Sequence, residues 1–268
     1  MVPNVAGSNP VDRPPLIQES VLSPLQAVLL GIVQGMCEFF PISSSAHLKL
    51  VRHLLGIENQ ENMISFDLAC HLGTWLALVY FLRRDIWQTL QDPRKIGYFA
   101  LALIPLVPAY FFLKSFRLFF LSPNMTGYFL LLTALLLFLA TQASRSTTKK
   151  WVSVLSIGCG QALALIPGLS RSGSTIAMAR LCGWTWIDGA KFSFLLAVPT
   201  ILGGEVLEGM KNGIDSVISV SCLLGLSSSF VVGMQTVKVA FWMYEKQIVR
   251  PFVWYCLSVG VLMITIFK

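Results

Sequence analysis

Charge is what this 268-residue sequence has least of: 12% of its residues are charged, 55% are hydrophobic, and the mean hydropathy is +0.70. A water-soluble domain carries about a quarter charged residues, so a soluble enzyme is excluded. Disorder is excluded for the same reason. There is no Cys-x-x-Cys pair. The six cysteines, Cys37, Cys70, Cys159, Cys182, Cys222 and Cys256, are scattered through apolar segments, which argues for buried thiols over a disulfide framework or a zinc site. The first residues lack a basic stretch followed by an apolar one, so no cleavable signal peptide is expected. Residues 1–22 read as a flexible polar lead-in, and 23–268 as a single polytopic membrane domain. The formal charge of +7 is spread over short loops between apolar runs. It marks topology and not a nucleic-acid partner.

Six apolar runs are long enough to be full crossings: 64–82, 97–113, 125–141, 190–207, 216–240 and 252–267. Loops 83–95, 144–150 and 244–251 together carry nine basic residues: Arg83, Arg84, Arg94, Lys95, Arg145, Lys149, Lys150, Lys246 and Arg250. The opposite connections, 114–124 and 205–215, carry three, Lys114, Arg117 and Lys211, with Glu205, Glu208 and Asp215 beside the last. The basic loops are therefore cytoplasmic and both termini lie outside.

Regions 24–56 and 151–186 do not fit this alternation. Each begins as an apolar helix and is cut by hydroxyl-rich sequence, PISSSAH at Pro41 to His47 and PGLSRSGST at Pro167 to Thr175. Proline stops each first arm. Each region must enter and leave on one side, which predicts two re-entrant helix-loop-helix hairpins, one from each face. Irregular backbone at membrane depth requires a protein-lined cavity. Gly31, Gln34, Ser43 and Ser45 recur 127 residues later as Gly158, Gln161, Ser170 and Ser172. The expected architecture is an all-α integral membrane protein of about six transmembrane helices plus the two hairpins, arranged as an inverted repeat. Such repeats place a site where the broken helices meet.

The first hairpin offers Gln34 and Glu38 on one helix face, then Ser43, Ser44, Ser45 and His47. Polar groups at this depth are expensive unless paired or wetted; helix–helix packing through hydroxyls is the plainer alternative. The second hairpin offers Gly168 and Gly173 for close backbone approach, hydroxyls from Ser170, Ser172, Ser174 and Thr175, and the planar cation of Arg171. A helix starting near Ser174 would add free N–H groups. This chemistry suits a phosphate; a buried Arg171–Glu38 ion pair joining the two halves is compatible with it. Asp67 and His71, four apart, read first as ordinary polar packing, with a place in the pocket wall as the alternative. His53, six residues beyond His47, points elsewhere.

These residues resemble the undecaprenyl-diphosphate phosphatases, also called bacitracin-resistance proteins. That family's signatures are Glu-or-Gln, three residues, Glu, here Gln34 to Glu38, and PGxSRSxxT, here Pro167 to Thr175. EFFPISSSAH and FSFLLAVP (192–199) extend the resemblance over most of 25–268. Gln34 is the less common option and leaves one anionic metal ligand fewer. The resemblance implies hydrolysis of undecaprenyl diphosphate to undecaprenyl phosphate and inorganic phosphate, which recycles the lipid carrier for cell-wall synthesis and confers bacitracin resistance. It implies a multi-pass protein of the bacterial inner membrane with its site facing the periplasm. It also implies a divalent cation, Mg2+ or else Ca2+, held by Glu38 and Gln34, and it leaves room for a homodimer. In the roles assigned on this basis, Arg171 clamps the terminal phosphate, while Ser43, Ser170, Ser172, Gly173 and Thr175 surround its oxygens. Glu38 holds the metal or acts as general base, Ser44 is or positions the nucleophile, and His47 is its acid–base partner, with His47 as the covalent nucleophile the open alternative.

Two rival readings are considered. Lipid phosphatases with a PSGH and SRxxxxxH pair are not matched, because the position six after Arg171 is Ala177. A secondary transporter or flippase of a phosphorylated lipid carrier could use the same repeat and the same phosphate cradle.

Overall fold

The computed structural model describes residues 22–57, 63–115, 122–144, 148–212 and 219–268. The lead-in up to residue 21 and the loop residues Arg117, Arg145 and Asp215 lie outside them. All regular structure among the described residues is helical. The elements are α1 (Pro24–Cys37), α2 (Ser44–Leu54), α3 (Ile64–Leu90), α4 (Pro93–Leu103), α5 (Leu106–Ser115), α6 (Pro123–Gln142), α7 (Lys150–Leu163), α8 (Arg171–Leu181), α9 (Trp186–Asn212), α10 (Val220–Glu245) and α11 (Arg250–Ile266).

Five stretches are long and apolar enough to cross a membrane: Ile64–Leu90, Pro93–Leu113, Pro123–Gln142, Trp186–Met210 and Val220–Glu245. The chain is a multi-pass membrane protein. The sixth expected crossing is α11, apolar but 17 residues long, or about 25 Å at 1.5 Å per residue. Outward-facing Phe111, Phe112, Trp242 and Trp254 are exposed on the protein, where a lipid solvent would cover them.

Boundaries differ from expectation where capping chemistry overrides hydropathy. The run 83–95 is not a loop: α3 continues through Leu90 because no glycine or proline interrupts FLRRDIWQTL, and Asp92 then accepts from the N–H groups of Arg94 and Lys95 to start α4 at Pro93. The crossing at 97–113 is broken at Ile104–Pro105 into α4 and α5, as a proline without an N–H requires. Glu205 and Glu208, read as loop residues, belong to α9.

Small residues bring the helices together. A Cβ on Gly31 of α1 would stand 2.6 Å from the Gly225 carbonyl oxygen of α10, and one on Gly158 of α7 would stand 2.4 Å from that of Ala102 in α4. Glycine at such contacts lets backbones approach where lipid offers no hydrophobic drive. Gly31 and Gly158 are repeat partners, so equivalent positions carry equivalent contacts. The repeat also extends into α3 and α9: Ser65, Phe66, Leu68 and Ala69 recur 128 residues on as Ser193, Phe194, Leu196 and Ala197.

Candidate active site

Both helix breaks are built by local rules. α1 opens on a capping box, Ser23 Oγ accepting from Gln26 N and Gln26 Oε1 from Ser23 N, and Pro41 prevents its continuation. α2 then starts from Ser43 at φ +66, a strained region for a residue with a Cβ, costing about 1–3 kcal/mol. The strain is held in place by His47, whose Nδ1 lies 2.9 Å from the Ser43 carbonyl and whose Nε2 lies 2.8 Å from the Tyr255 hydroxyl of α11. The second break turns at Gly168, φ +98, where a Cβ would stand 2.3 Å from the Thr126 carbonyl oxygen of α6. α8 then begins at Arg171, earlier than the Ser174 expected, because Ser170 caps it by accepting from Gly173 N at 3.1 Å. The free N–H groups of this helix are consequently those of Arg171 and Ser172.

The two breaks meet. Gly168 N donates to Ser45 Oγ at 3.2 Å, and Ser172 Oγ donates to the Phe40 carbonyl at 3.0 Å. Each half thus reaches into the other with a repeat-related serine. Within each half the paired hydroxyls stand at the same separation, Ser43 to Ser45 at 3.2 Å and Ser170 to Ser172 at 3.2 Å.

Beside this junction lies a cavity of about 290 Å³, lined by Glu38, Ser43, Ser44 and Ser45 from the first break and Ser170, Arg171 and Ser172 from the second. Glu38 is its centre. One carboxylate oxygen accepts from Gln34 Nε2 at 2.9 Å and from Ser44 Oγ at 3.1 Å, and the other takes the Arg171 guanidinium. Arg171 also reaches Thr200 Oγ1 at 3.5 Å. The cavity therefore holds a carboxylate, a hydroxyl that donates to it, and a planar cation, which together can bind a phosphate and activate an oxygen beside it. A larger cavity of about 530 Å³ at the other end of α3 and α9 mixes Lys95, Lys150 and Lys191 with Asp85 and Asp188. It contains no group from either break.

Not every expected residue arrives. His47 is buried against Tyr255, its ring stacked there at 5.5 Å, and it does not line the cavity; both ring nitrogens are engaged in shaping the break. Thr175 is turned into the protein, its hydroxyl 2.6 Å from Ser193 Oγ and donating to the Arg171 carbonyl, so it does not face a phosphate. The N–H of Gly173 is taken by Ser170. Gln34 stands behind Glu38, with its Oε1 buried and unpartnered. The Asp67–His71 pairing is also corrected: Asp67 pairs with Arg52 of α2, while His71 lines the cavity with Nδ1 3.3 Å from Glu205 Oε1.

A profile of the family described as "Bacitracin resistance protein BacA" matches residues 27–262. The chain belongs to this family. Among relatives of the bacitracin resistance family, it is 38% identical over 245 residues to an undecaprenyl-diphosphatase of Protochlamydia amoebophila, covering 88% of this chain and 95% of that one. It is 37% identical over 265 residues to the undecaprenyl-diphosphatase of Geotalea daltonii, with coverage of 88% and 96%. It is 34% identical over 259 residues to that of Desulforudis audaxviator, with coverage of 91% and 98%.

Polar cavity residues of this family member that lie outside both helix breaks include His71, Gln161, Thr200 and Glu205. Gln161 is the repeat partner of Gln34, and both its amide atoms are buried without a partner. A carboxylate at position 205, directly after the apolar run PTILGG, was the available signal for Glu205.

Proposed function

We propose that this protein hydrolyses undecaprenyl diphosphate to undecaprenyl phosphate and inorganic phosphate, returning the lipid carrier to cell-wall synthesis and thereby conferring bacitracin resistance. The observation that carries this reading is the convergence of Glu38, Ser44 and Arg171, contributed by two different helix breaks, on one cavity. The relatives named undecaprenyl-diphosphatase support the choice of substrate.

In this reading the terminal phosphate displaces the Glu38 carboxylate from Arg171 and takes the planar fork for itself. The N–H groups of Arg171 and Ser172 at the start of α8 face the same anion. Glu38, released from the ion pair, accepts the proton of the attacking oxygen, which Ser44 supplies or positions. Arg171 then stabilises the charge that grows on the equatorial oxygens. Ser43, Ser170 and Ser172 line the phosphate's path.

A Mg2+ or Ca2+ ion suits these donors in a limited way. No group of three His, Cys, Asp or Glu side chains that could hold a cation exists among the described residues. Glu38 and the unpartnered Oε1 of Gln34 are one carboxylate and one amide oxygen, and Mg2+ is commonly held by one or two carboxylates plus substrate phosphates. When bound, the ion would neutralise charge on the diphosphate.

The proposed setting is the bacterial inner membrane, with six crossings, the two broken pairs α1–α2 and α7–α8 as re-entrant hairpins of an inverted repeat, and the cavity open to the periplasm. The basic residues near the ends of α3, α4, α7 and α11 support this orientation. A homodimer is compatible with it, and no nucleic acid is proposed. The reciprocal contacts of the two breaks also suit a transporter of a phosphorylated lipid. Purified protein in detergent, where no gradient exists, separates the two: with Mg2+ and farnesyl or undecaprenyl diphosphate, phosphate release is expected, and its absence would favour transport.

A further inference from the structure

The site described so far has a base and a phosphate clamp but nothing to meet the group that departs. His47, the histidine nearest the signature in sequence, is used up in shaping the first break. The cavity contains a different one. His71 lies in the second turn of α3 and lines the wall formed by α3 and α9, together with Glu205, Thr200 and Gly204. Its Nδ1 is 3.3 Å from Glu205 Oε1, and its Nε2 carries no hydrogen bond among the described residues. The second oxygen of Glu205 is buried and unpartnered, so the carboxylate has capacity to hold the ring firmly.

We infer that His71 is the proton donor to the departing lipid phosphate, and that Glu205 is the positioning residue that fixes its ring. This deepens, and rests on, the phosphatase reading above. With the terminal phosphate on Arg171, the attacking oxygen forms a bond to the terminal phosphorus and gives its proton to Glu38. The bond from that phosphorus to the bridging oxygen breaks, and its electron pair stays on the bridging oxygen. The Nε2 proton of His71 passes to that oxygen, which leaves as the lipid monophosphate. The proton left on Glu38 goes back to solvent and His71 takes one up, which cancels. The one water consumed for each anhydride bond cleaved supplies the attacking oxygen, either directly or by hydrolysing the phosphoserine formed when Ser44 attacks. A ring that donates from Nδ1 to Glu205 and from Nε2 to the departing oxygen is the imidazolium, which pairs with an adjacent carboxylate.

The surroundings of His71 are specific. Glu38 comes from the first break, Arg171 from the start of α8, and Glu205 from α9. Asp67, one turn earlier on α3, is engaged by Arg52 of α2. On the opposite side α10 packs Gly225 and Ser229 against Cys70 and Gly73 of α3 and brings no charge. At the equivalent place in the repeat, α9 carries Pro199, so the proton donor has no twin.

The test uses purified protein in detergent with Mg2+ and farnesyl diphosphate, following phosphate release against pH. His71→Gln is expected to lower kcat about 10²-fold or more, leave KM within a few-fold, and abolish the alkaline limb of the kcat profile. Glu205→Gln is expected to keep that limb but move it to lower pH, with KM little changed, which a purely structural role would not do. Melting temperatures checked in the same detergent identify a variant that has simply failed to fold, and Glu205→Gln then carries the test alone. Wild-type kcat in His71→Gln, or an alkaline limb unmoved in Glu205→Gln, overturns the inference. A KM rise with unchanged kcat also overturns it, assigning His71 to binding only. Because wild-type protein and Glu38→Gln run alongside, an active wild type with an indifferent His71→Gln rejects this inference alone. An inactive wild type rejects the phosphatase reading itself.

Discussion

Glu38 takes hydrogen bonds from an amide, a hydroxyl and a guanidinium at once, and its side chain is only 5% exposed. A carboxylate buried to that degree is tolerable because its charge is matched. The same arrangement makes it sensitive. Glu38→Gln, Ser44→Ala and Arg171→Ala are each expected to lower phosphate release about 10²-fold or more, in protein that still melts cooperatively. Arg171→Lys should rescue little, because a single ammonium does not span Glu38 and Thr200 as the fork does. The two sequence signatures made Glu38 and Arg171 legible, and the adjoining PISSSAH run made Ser44 so, since their chemistry is local to each break. The histidines were less legible: a place in the pocket wall was only the second reading for His71. His47 lies three residues from Ser44 and read as its partner, yet the geometry hands it to the Ser43 carbonyl and Tyr255. His47→Ala should therefore lower the melting temperature, and Tyr255→Phe should reproduce part of that loss, about 1 kcal/mol for one hydrogen bond. An unchanged melting temperature in both would contradict this structural role. Position along the chain says little about a ring whose partner is 208 residues away.

At the level of elements, proline and glycine placed the breaks correctly, and hydropathy placed most crossings. The failures share one cause: a hydropathy run ends where charge begins, whereas a helix ends where hydrogen bonding is interrupted. α3 carries Arg83 and Arg84 as helical residues, the former with its guanidinium 4.7 Å from the Tyr80 ring, and α9 carries Glu205 into the cavity by the same continuation. The second break depends on Gly168, whose positive φ and contact with Thr126 exclude a side chain. Gly168→Ala is expected to destabilise the protein by roughly 1–3 kcal/mol and to reduce activity with it. Gly203→Ala provides the comparison: nothing lies within 4 Å of its would-be Cβ, and it should melt like wild type. Thermal unfolding in detergent measures both.

For the whole molecule, the sequence repeat was visible in only four matched residues of the two broken pairs, and its continuation into α3 and α9 emerged once those helices were seen to line the same cavity. Sequence identity between the halves is thin because each helix meets different neighbours. Positions at the junction stay alike because they perform mirrored tasks. The orientation proposed from charge is testable: in a background lacking the native cysteines, Lys149→Cys and Lys246→Cys should react with an impermeant thiol reagent only after the membrane is opened, and Lys268→Cys should react beforehand. The reverse pattern would turn the cavity to the cytoplasm.

The serine clasp between the breaks has a mechanical corollary. Ser45 and Ser172 each tether their own half to the opposite backbone, so neither can swing away without undoing both links, at a cost of about 0.5–1.5 kcal/mol apiece. Such a hub behaves as a fixed anvil: the lipid must come to the reacting groups, because the reacting groups are fastened to one another.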